Sequence, residues 1–215
     1  MTESGSGRAT LRALTEADRV EFVAVMGAAF AQDPWYRVLF ASARRPAVDD
    51  RHRRAFLGFL FDLSCWTGST LRGVVVDGAL GGAYILDRPG SADLSAALAW
   101  PRVMVRALTG PIGLSWRRAG LIAAYLRHTR AALPRGRSYY LALLGVRPDL
   151  QGRGFGRRLL ADLIERVDAD PRADGIGLDT ENAENIGLYQ RFGFGLASTA
   201  QVGSARVYCL YRARP

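Results

Sequence analysis

LALLGVRPDLQGRGFGRR, residues Leu141–Arg158, decides how the chain is to be read. It opens on an apolar run, Leu141 to Val146, long enough for a buried strand. Arg147-Pro148-Asp149 ends that strand, because proline lacks a backbone donor and turns the residue before it away from helix. Gln151-Gly152-Arg153-Gly154-Phe155-Gly156 follows. Apolar residues then recur at Leu159, Leu160, Leu163, Ile164 and Val167, the spacing of one helix face. The unit is strand, glycine-rich turn, helix.

Such a unit has a chemical meaning. The first turn of a helix carries N–H groups without intrahelical partners, at the positive end of the helix dipole. Glycines let backbone close on a ligand and tolerate positive φ. Together they make a phosphate cradle, and Arg153, Arg157 and Arg158 add positive charge around it. The loop lacks the Gly-Lys-Ser/Thr ending of a Walker loop. Gly152-x-Gly154-x-Gly156 also misplaces the third glycine of a dinucleotide fingerprint, and too little chain follows for a doubly wound sheet. The competing reading is a tight strand-to-helix connection with no ligand.

Gln151-x-x-Gly154-x-Gly156 after a Leu-Gly-Val-x-Pro strand resembles the acetyl-CoA signature of the GCN5-related N-acetyltransferases (GNAT). Downstream, Leu178-Asp179-Thr180, Asn185 and Tyr189-Gln-Arg-Phe-Gly193-Phe194 resemble that family's second motif. The form of these residues, with Tyr139-Tyr140 leading into the strand, is similar to the branch containing puromycin N-acetyltransferase. The resemblance covers about Tyr139 to Phe194. It implies an α/β fold, a mixed sheet flanked by helices, with acetyl-CoA as co-substrate. It also implies an N-acetyltransferase that moves acetyl to a primary amine of a small molecule by direct attack in a ternary complex. An acyl-CoA-binding or regulatory module without turnover, or a protein N-acetyltransferase, is the alternative.

Outward from the signature, Thr10 to Leu14 reads as a first strand, and Thr15 with Asp18 as a helix cap. A helix runs to about Phe30 with Val20, Val23, Ala24 and Phe30 expected inward; Gln32-Asp33-Pro34 stops it. Trp35 to Phe40 is an aromatic helical turn. Asp49 to Trp66 is a second amphipathic helix with Phe56, Leu57, Leu60, Phe61 and Trp66 inward. Leu71 to Val76 and Leu80 to Leu86 flank Asp77-Gly78, a hairpin signal. Residues 91–133 are a helical insertion before the central strand, with Leu121, Ile122, Tyr125 and Leu126 on one face of its second helix. Gly175 to Thr180 is a strand parallel to the signature strand, Glu184 to Phe192 a short helix, and Leu196 to Val202 with Arg206 to Tyr211 a closing hairpin. Residues 1–8 read as a disordered tail and 9–215 as a single domain.

All 29 basic residues are arginine and the formal charge is +9, which suits a multiply anionic cofactor. The arginines are scattered in short pairs, so nucleic acid is not expected. Cys65 and Cys209 form no C-x-x-C pattern and only His52 and His128 accompany them, so no metal is expected. No signal peptide or membrane span is read, which points to a cytoplasmic enzyme, monomer or homodimer.

Thioester-to-amine transfer needs a base for the amine, polarisation of the carbonyl and a proton for the leaving thiolate. By the resemblance, the signature strand splays from its neighbour and frees N–H groups at Leu144, Gly145 and Val146. Gln151, Gly152, Arg153, Gly154, Phe155, Gly156 and Arg157 are the expected cradle, with Asn185 a further cofactor contact. Tyr189 is the candidate general acid, since a phenol near pKa 10 can protonate a thiolate near 8.5; the competing role is core packing. Asp179 or Glu181 is the candidate base, and Glu184 and Asp33 are further carboxylates that could act, directly or through water. Asp33, Trp35, Tyr36 and Tyr140 are the candidate amine-binding residues.

Overall fold

The structure, a computed structural model, describes residues 9–40, 46–90, 115–134 and 136–215. The expected tail and the first part of the insertion, residues 91–114, lie outside them. In chain order the elements are β1 (Ala9–Ala13), α1 (Arg19–Ala29), α2 (Pro34–Phe40), α3 (Pro46–Thr67), β2 (Thr70–Val76), β3 (Ala79–Asp87) and α4 (Trp116–Ala131). There follow β4 (Ser138–Val146), α5 (Phe155–Asp168), β5 (Gly175–Thr180), α6 (Ile186–Arg191), β6 (Gly195–Val202) and β7 (Ala205–Ala213). The strands form one sheet in the order β1-β2-β3-β4-β5-β7-β6. Every neighbouring pair is antiparallel except β4 and β5, which the α5 crossover makes parallel.

The turns follow from their residues. Asp77 and Gly78 have φ of 52° and 85°, the left-handed pair a two-residue hairpin turn requires. Thr15 donates its backbone N–H to the Asp18 carboxylate (2.7 Å), and Arg12 grips that carboxylate from β1 with two hydrogen bonds. Asp33 caps α2: its Oδ1 accepts from the N–H groups of Trp35 (2.9 Å) and Tyr36 (3.2 Å) ahead of Pro34 at the first turn.

Helices cover both faces. On one, Phe22, Val25 and Met26 of α1 and Leu57 and Phe61 of α3 pack on Leu80, Ala83, Ile85 and Leu143, with α2 reaching Val207 and Cys209. On the other, Leu159, Leu160, Leu163 and Val167 of α5 pack on Val74, Tyr84, Leu141, Val146 and Ile176. Each fully buried leucine there contributes about 1.5–3 kcal/mol. Polar ties fix how α5 lies. Asp162 receives Arg72 through two hydrogen bonds (2.9 and 3.2 Å) and the Tyr84 hydroxyl (2.6 Å), and Asp168 receives Arg212 (2.7 and 2.9 Å).

Three expected faces are corrected. Val20 is 79% exposed and Ala24 is also exposed, because α1 turns Phe22, Val25 and Met26 inward instead. Both sets have helical spacing, and the larger side chains take the core. Trp66, in the last turn of α3, is 41% exposed. Leu126 of α4 is 44% exposed while Leu121, Ile122 and Tyr125 pack on the core.

Candidate active site

The pairing of β4 with β5 runs from Ser138↔Gly175 to Leu141↔Leu178 and ends there. Ala142 is the extra residue of a bulge: Leu141 is level with Leu86 and Leu143 with Ile85, leaving Ala142 unmatched and exposed. A bulge bends its strand and raises its twist, so β4 leaves β5 at this residue. β5 stays paired to β7 over its whole length, as far as Thr180↔Tyr208. A wedge-shaped cleft opens between Ala142–Val146 and the end of β5.

The cleft has polar walls. Arg147 donates its N–H to the Gly81 carbonyl of β3 (2.8 Å). Since backbone groups alternate along a strand, Gly145 faces β3 while Leu144 and Val146 turn their N–H groups to the open side. Gln151 Nε2 donates to the Val146 carbonyl on that side (3.0 Å), tying the loop to the strand end. Of the three residues expected to offer N–H groups, Gly145 does something else. A Cβ there would come within 3.0–3.1 Å of Met26, Phe30 and Ala29, so Gly145 lets α1 lie close over β4.

The glycine loop caps the cleft. Gly152 and Gly154 have φ of 76° and 85°, and a Cβ on either would meet no protein atom within 4 Å. Gly154 is the residue before α5, and its carbonyl accepts from the Arg158 N–H (3.0 Å). Phe155, Gly156 and Arg157 therefore present the first-turn N–H groups that no intrahelical acceptor takes. Gly156 faces the strand, since a Cβ there would lie 3.8 Å from Val146 Cγ2. Arg153 and Arg157 are exposed beside it. The space a Cβ would fill, the free donors and the positive charge fit a pyrophosphate.

At the end of β5 two carboxyl groups lie side by side. Asp179 and Glu181 share one side of the chain, and the Tyr125 hydroxyl of α4 hydrogen-bonds both, Glu181 Oε1 at 2.6 Å and Asp179 Oδ2. The Tyr125 ring stacks on Trp35 (centroids 4.2 Å apart, 22° between planes). Burial pushes both carboxyl groups well above the usual carboxylate range; the Asp179 charge pushes Glu181 further, and that of Asp33 pushes both. Burial first, then the Asp33, Glu181 and Asp179 charges, raise the Tyr36 phenol likewise. Tyr189, in α6, is 9% exposed and meets Phe194 edge-on at 6.0 Å. Burial, then Asp179 and Glu181, raise its pKa, so it stays protonated across the neutral range.

Residues 107–194 match the model of the acetyltransferase (GNAT) family. Through that segment the chain is similar to the GNAT family. Its fold is found among solved GNAT structures. A histone acetyltransferase and related acetyltransferase from Corynebacterium glutamicum superposes with TM-score 0.68 at 18% identity, over 96% of this chain and 97% of that one. The polyamine N-acetyltransferase of Drosophila melanogaster gives 0.61 at 17%, over 96% and 100%. The ribosomal-protein-S18-alanine N-acetyltransferase of Escherichia coli gives 0.57 at 14%, over 96% and 94%.

Within this GNAT fold the residues singled out in the sequence separate into groups. Gln151 to Arg157 lie together at the mouth of the cleft. Asn185 is the N-cap of α6, four residues before Tyr189, after the short turn Ala183–Asn185 that replaces the first part of the expected helix. Trp35 and Tyr36 are buried, and Asp33 faces the same carboxyl pair through its charge. Tyr140 is half-buried on the paired half of β4, level with Gly177, on the near side of the bulge. Tyr125 is the residue sequence reasoning left in the core. Its place on the Leu121–Ile122 face was visible, but its partners lie 54 and 56 residues away. Among the described residues no group of three or more His, Cys, Asp or Glu could hold a metal ion, and no helix is long and apolar enough to cross a membrane.

Proposed function

We propose that the protein is an acetyl-CoA-dependent N-acetyltransferase that acetylates a primary amine of a small molecule by direct attack in a ternary complex. The observation that carries this reading is the parting of β4 from β5 after Leu141↔Leu178, roofed by a glycine loop with unfilled Cβ space. The N–H groups of Phe155, Gly156 and Arg157 hold the pyrophosphate. The open-side N–H groups of Leu144 and Val146 hold the pantetheine arm and polarise the thioester carbonyl.

The amine nitrogen attacks that carbonyl, its proton passes to Asp179 or Glu181, and the carbon–sulfur bond breaks. Tyr189, kept protonated by its surroundings, gives its proton to the departing thiolate. Two raised carboxyl groups beside aromatic rings suit an acceptor that arrives as an ammonium ion, since a base near neutrality is matched to that task. The Drosophila relative's name supports a small amine, and the Leu178-Asp179-Thr180 and Tyr189 motifs support the puromycin N-acetyltransferase-like branch. We place the enzyme in the cytoplasm as a single domain, monomeric or homodimeric.

Calorimetric titration with acetyl-CoA, then a thiol-release assay across polyamines, agmatine and aminonucleosides, tests this. Binding followed by amine-dependent thiol release is expected. Binding without release on any amine or peptide N-terminus would leave the acyl-CoA-binding module, and release only on peptides the protein acetyltransferase.

A further inference from the structure

Tyr125 makes two contacts that one phenol proton cannot serve. Its oxygen lies 2.6 Å from Glu181 Oε1 and in contact with Asp179 Oδ2. A tyrosine hydroxyl has one O–H to donate, and an ionised carboxylate only accepts. With both acids ionised, one of these contacts would set two acceptors against each other. A second proton is therefore shared within the group. Two arrangements satisfy both contacts, Glu181 O–H to Tyr125 oxygen with Tyr125 O–H to the Asp179 carboxylate, or the reverse; the charges of Asp179 and Asp33 both bear on Glu181 and favour the first.

We propose that Tyr125 is a positioning residue of this site, whose hydroxyl assigns the proton shared by the two acids to Glu181 and keeps Asp179 as the carboxylate that takes the proton of the amine. The inference rests on the proposed acetyl transfer for the meaning of that base. The group is held in place independently of it. The Trp35 stack fixes the ring plane. Arg118 ties α4 to α2 by donating to the Leu39 carbonyl (2.8 Å) with its guanidinium over Phe40 (5.4 Å). His128, one turn on, meets Ser198 of β6 at 3.4 Å.

Charges around the group act on the balance. Asp33, ahead of α2, disfavours ionisation of both acids. Tyr36 and Tyr189 feel the pair and remain protonated. Cys209, level with Asp179 on β7, is pushed up to about 11 and stays a thiol. The charge of Arg53 of α3 acts on Tyr36. Donated to Asp179, the Tyr125 O–H favours the ionised form of that acid.

Tyr125→Phe removes the hydroxyl and leaves the ring to stack on Trp35. Carbon-13 NMR of the Asp179 and Glu181 carboxyls in the free protein reads the balance without any substrate. In wild type the pair should titrate in two separated steps, Glu181 keeping its proton to higher pH. In Tyr125→Phe the Asp179 step should move up by about one to two pH units, as expected for losing a hydrogen bond to a charged group. The acid limb of kcat/KM, with an amine that turns over in wild type, should move with it while acetyl-CoA affinity holds. Glu181→Gln is the second variant: with no proton to share, Asp179 should titrate in one step. Unmoved carboxyl titrations, or a uniform fall in rate with an unshifted pH profile, would overturn the positioning role. Absence of acetyl transfer in wild type would instead remove the acetyltransferase reading, and the NMR result would still decide where the proton sits.

Discussion

Leu141 on β4 is level with Leu178 on β5, and this is the last rung the two strands share. The next residue, Ala142, bulges out, and from there the two strands diverge. The backbone groups of Leu144 and Val146 then face space that a ligand's amides can enter. Their amide hydrogens should exchange readily in the free protein and become protected on adding acetyl-CoA, whereas that of Gly145, turned toward β3, should change little. Residue-resolved hydrogen exchange checks this. Equal protection of all three without ligand would place the cofactor elsewhere.

Gly154 and Gly78 form a matched pair. Both have φ of 85° and neither has a protein atom within 4 Å of its missing Cβ. Valine at either position strains the backbone alike, since β-branched residues rarely adopt positive φ. The two variants should therefore lose similar thermal stability. Only Gly154→Val puts a side chain into the proposed pyrophosphate site, so its acetyl-CoA affinity should fall by at least about tenfold, or ~1.4 kcal/mol. Calorimetry and a melting curve on both variants separate strain from obstruction.

The parts legible in the sequence were those fixed locally. Asp77-Gly78 carried its own turn geometry, and the Pro148 stop with three glycines carried the strand–loop–helix unit. The α1 face was misread because Val20 and Ala24 have the same helical spacing as Phe22, Val25 and Met26. Only the sheet beneath, with Gly145 admitting Met26, chooses between them. The bulge at Ala142 lies between leucines, with no glycine or proline beside it to mark it. Tyr125 read as one more core residue, because a bond from α4 to β5 leaves no periodicity in either segment.

Glu181 should make stability depend on pH. Its folded pKa is raised above the unfolded value, chiefly by burial. Between the ordinary glutamate pKa and that raised value, the folded state holds more protons than the unfolded one. Stability is therefore highest at the acid end of this window and falls as pH rises through it. Asp179 acts in the same direction. Glu181→Gln keeps the size and removes the titration. Its melting temperature relative to wild type should rise from pH 5 to pH 9, by roughly 2–4 °C for each kcal/mol of linkage. A difference that stays flat over this range would show that Glu181 ionises freely in the folded protein.

In the proposed reaction Tyr189 links the core to the chemistry. Its ring is fixed by Phe194 and the second core face, and its hydroxyl, raised by burial and by Asp179 and Glu181, remains a donor wherever the base is competent. Tyr189→Phe keeps the ring contacts and removes the proton. Acid–base groups contribute about a hundred- to ten-thousandfold, so kcat should fall by that order. Acetyl-CoA affinity and melting temperature should hold, because the apolar ring remains. Where water reaches the sulfur in place of the phenol, the fall is smaller and the alkaline limb of the rate profile flattens. Wild-type kcat on the preferred amine would make Tyr189 a packing residue and move the proton donor to water or to another hydroxyl in the cleft.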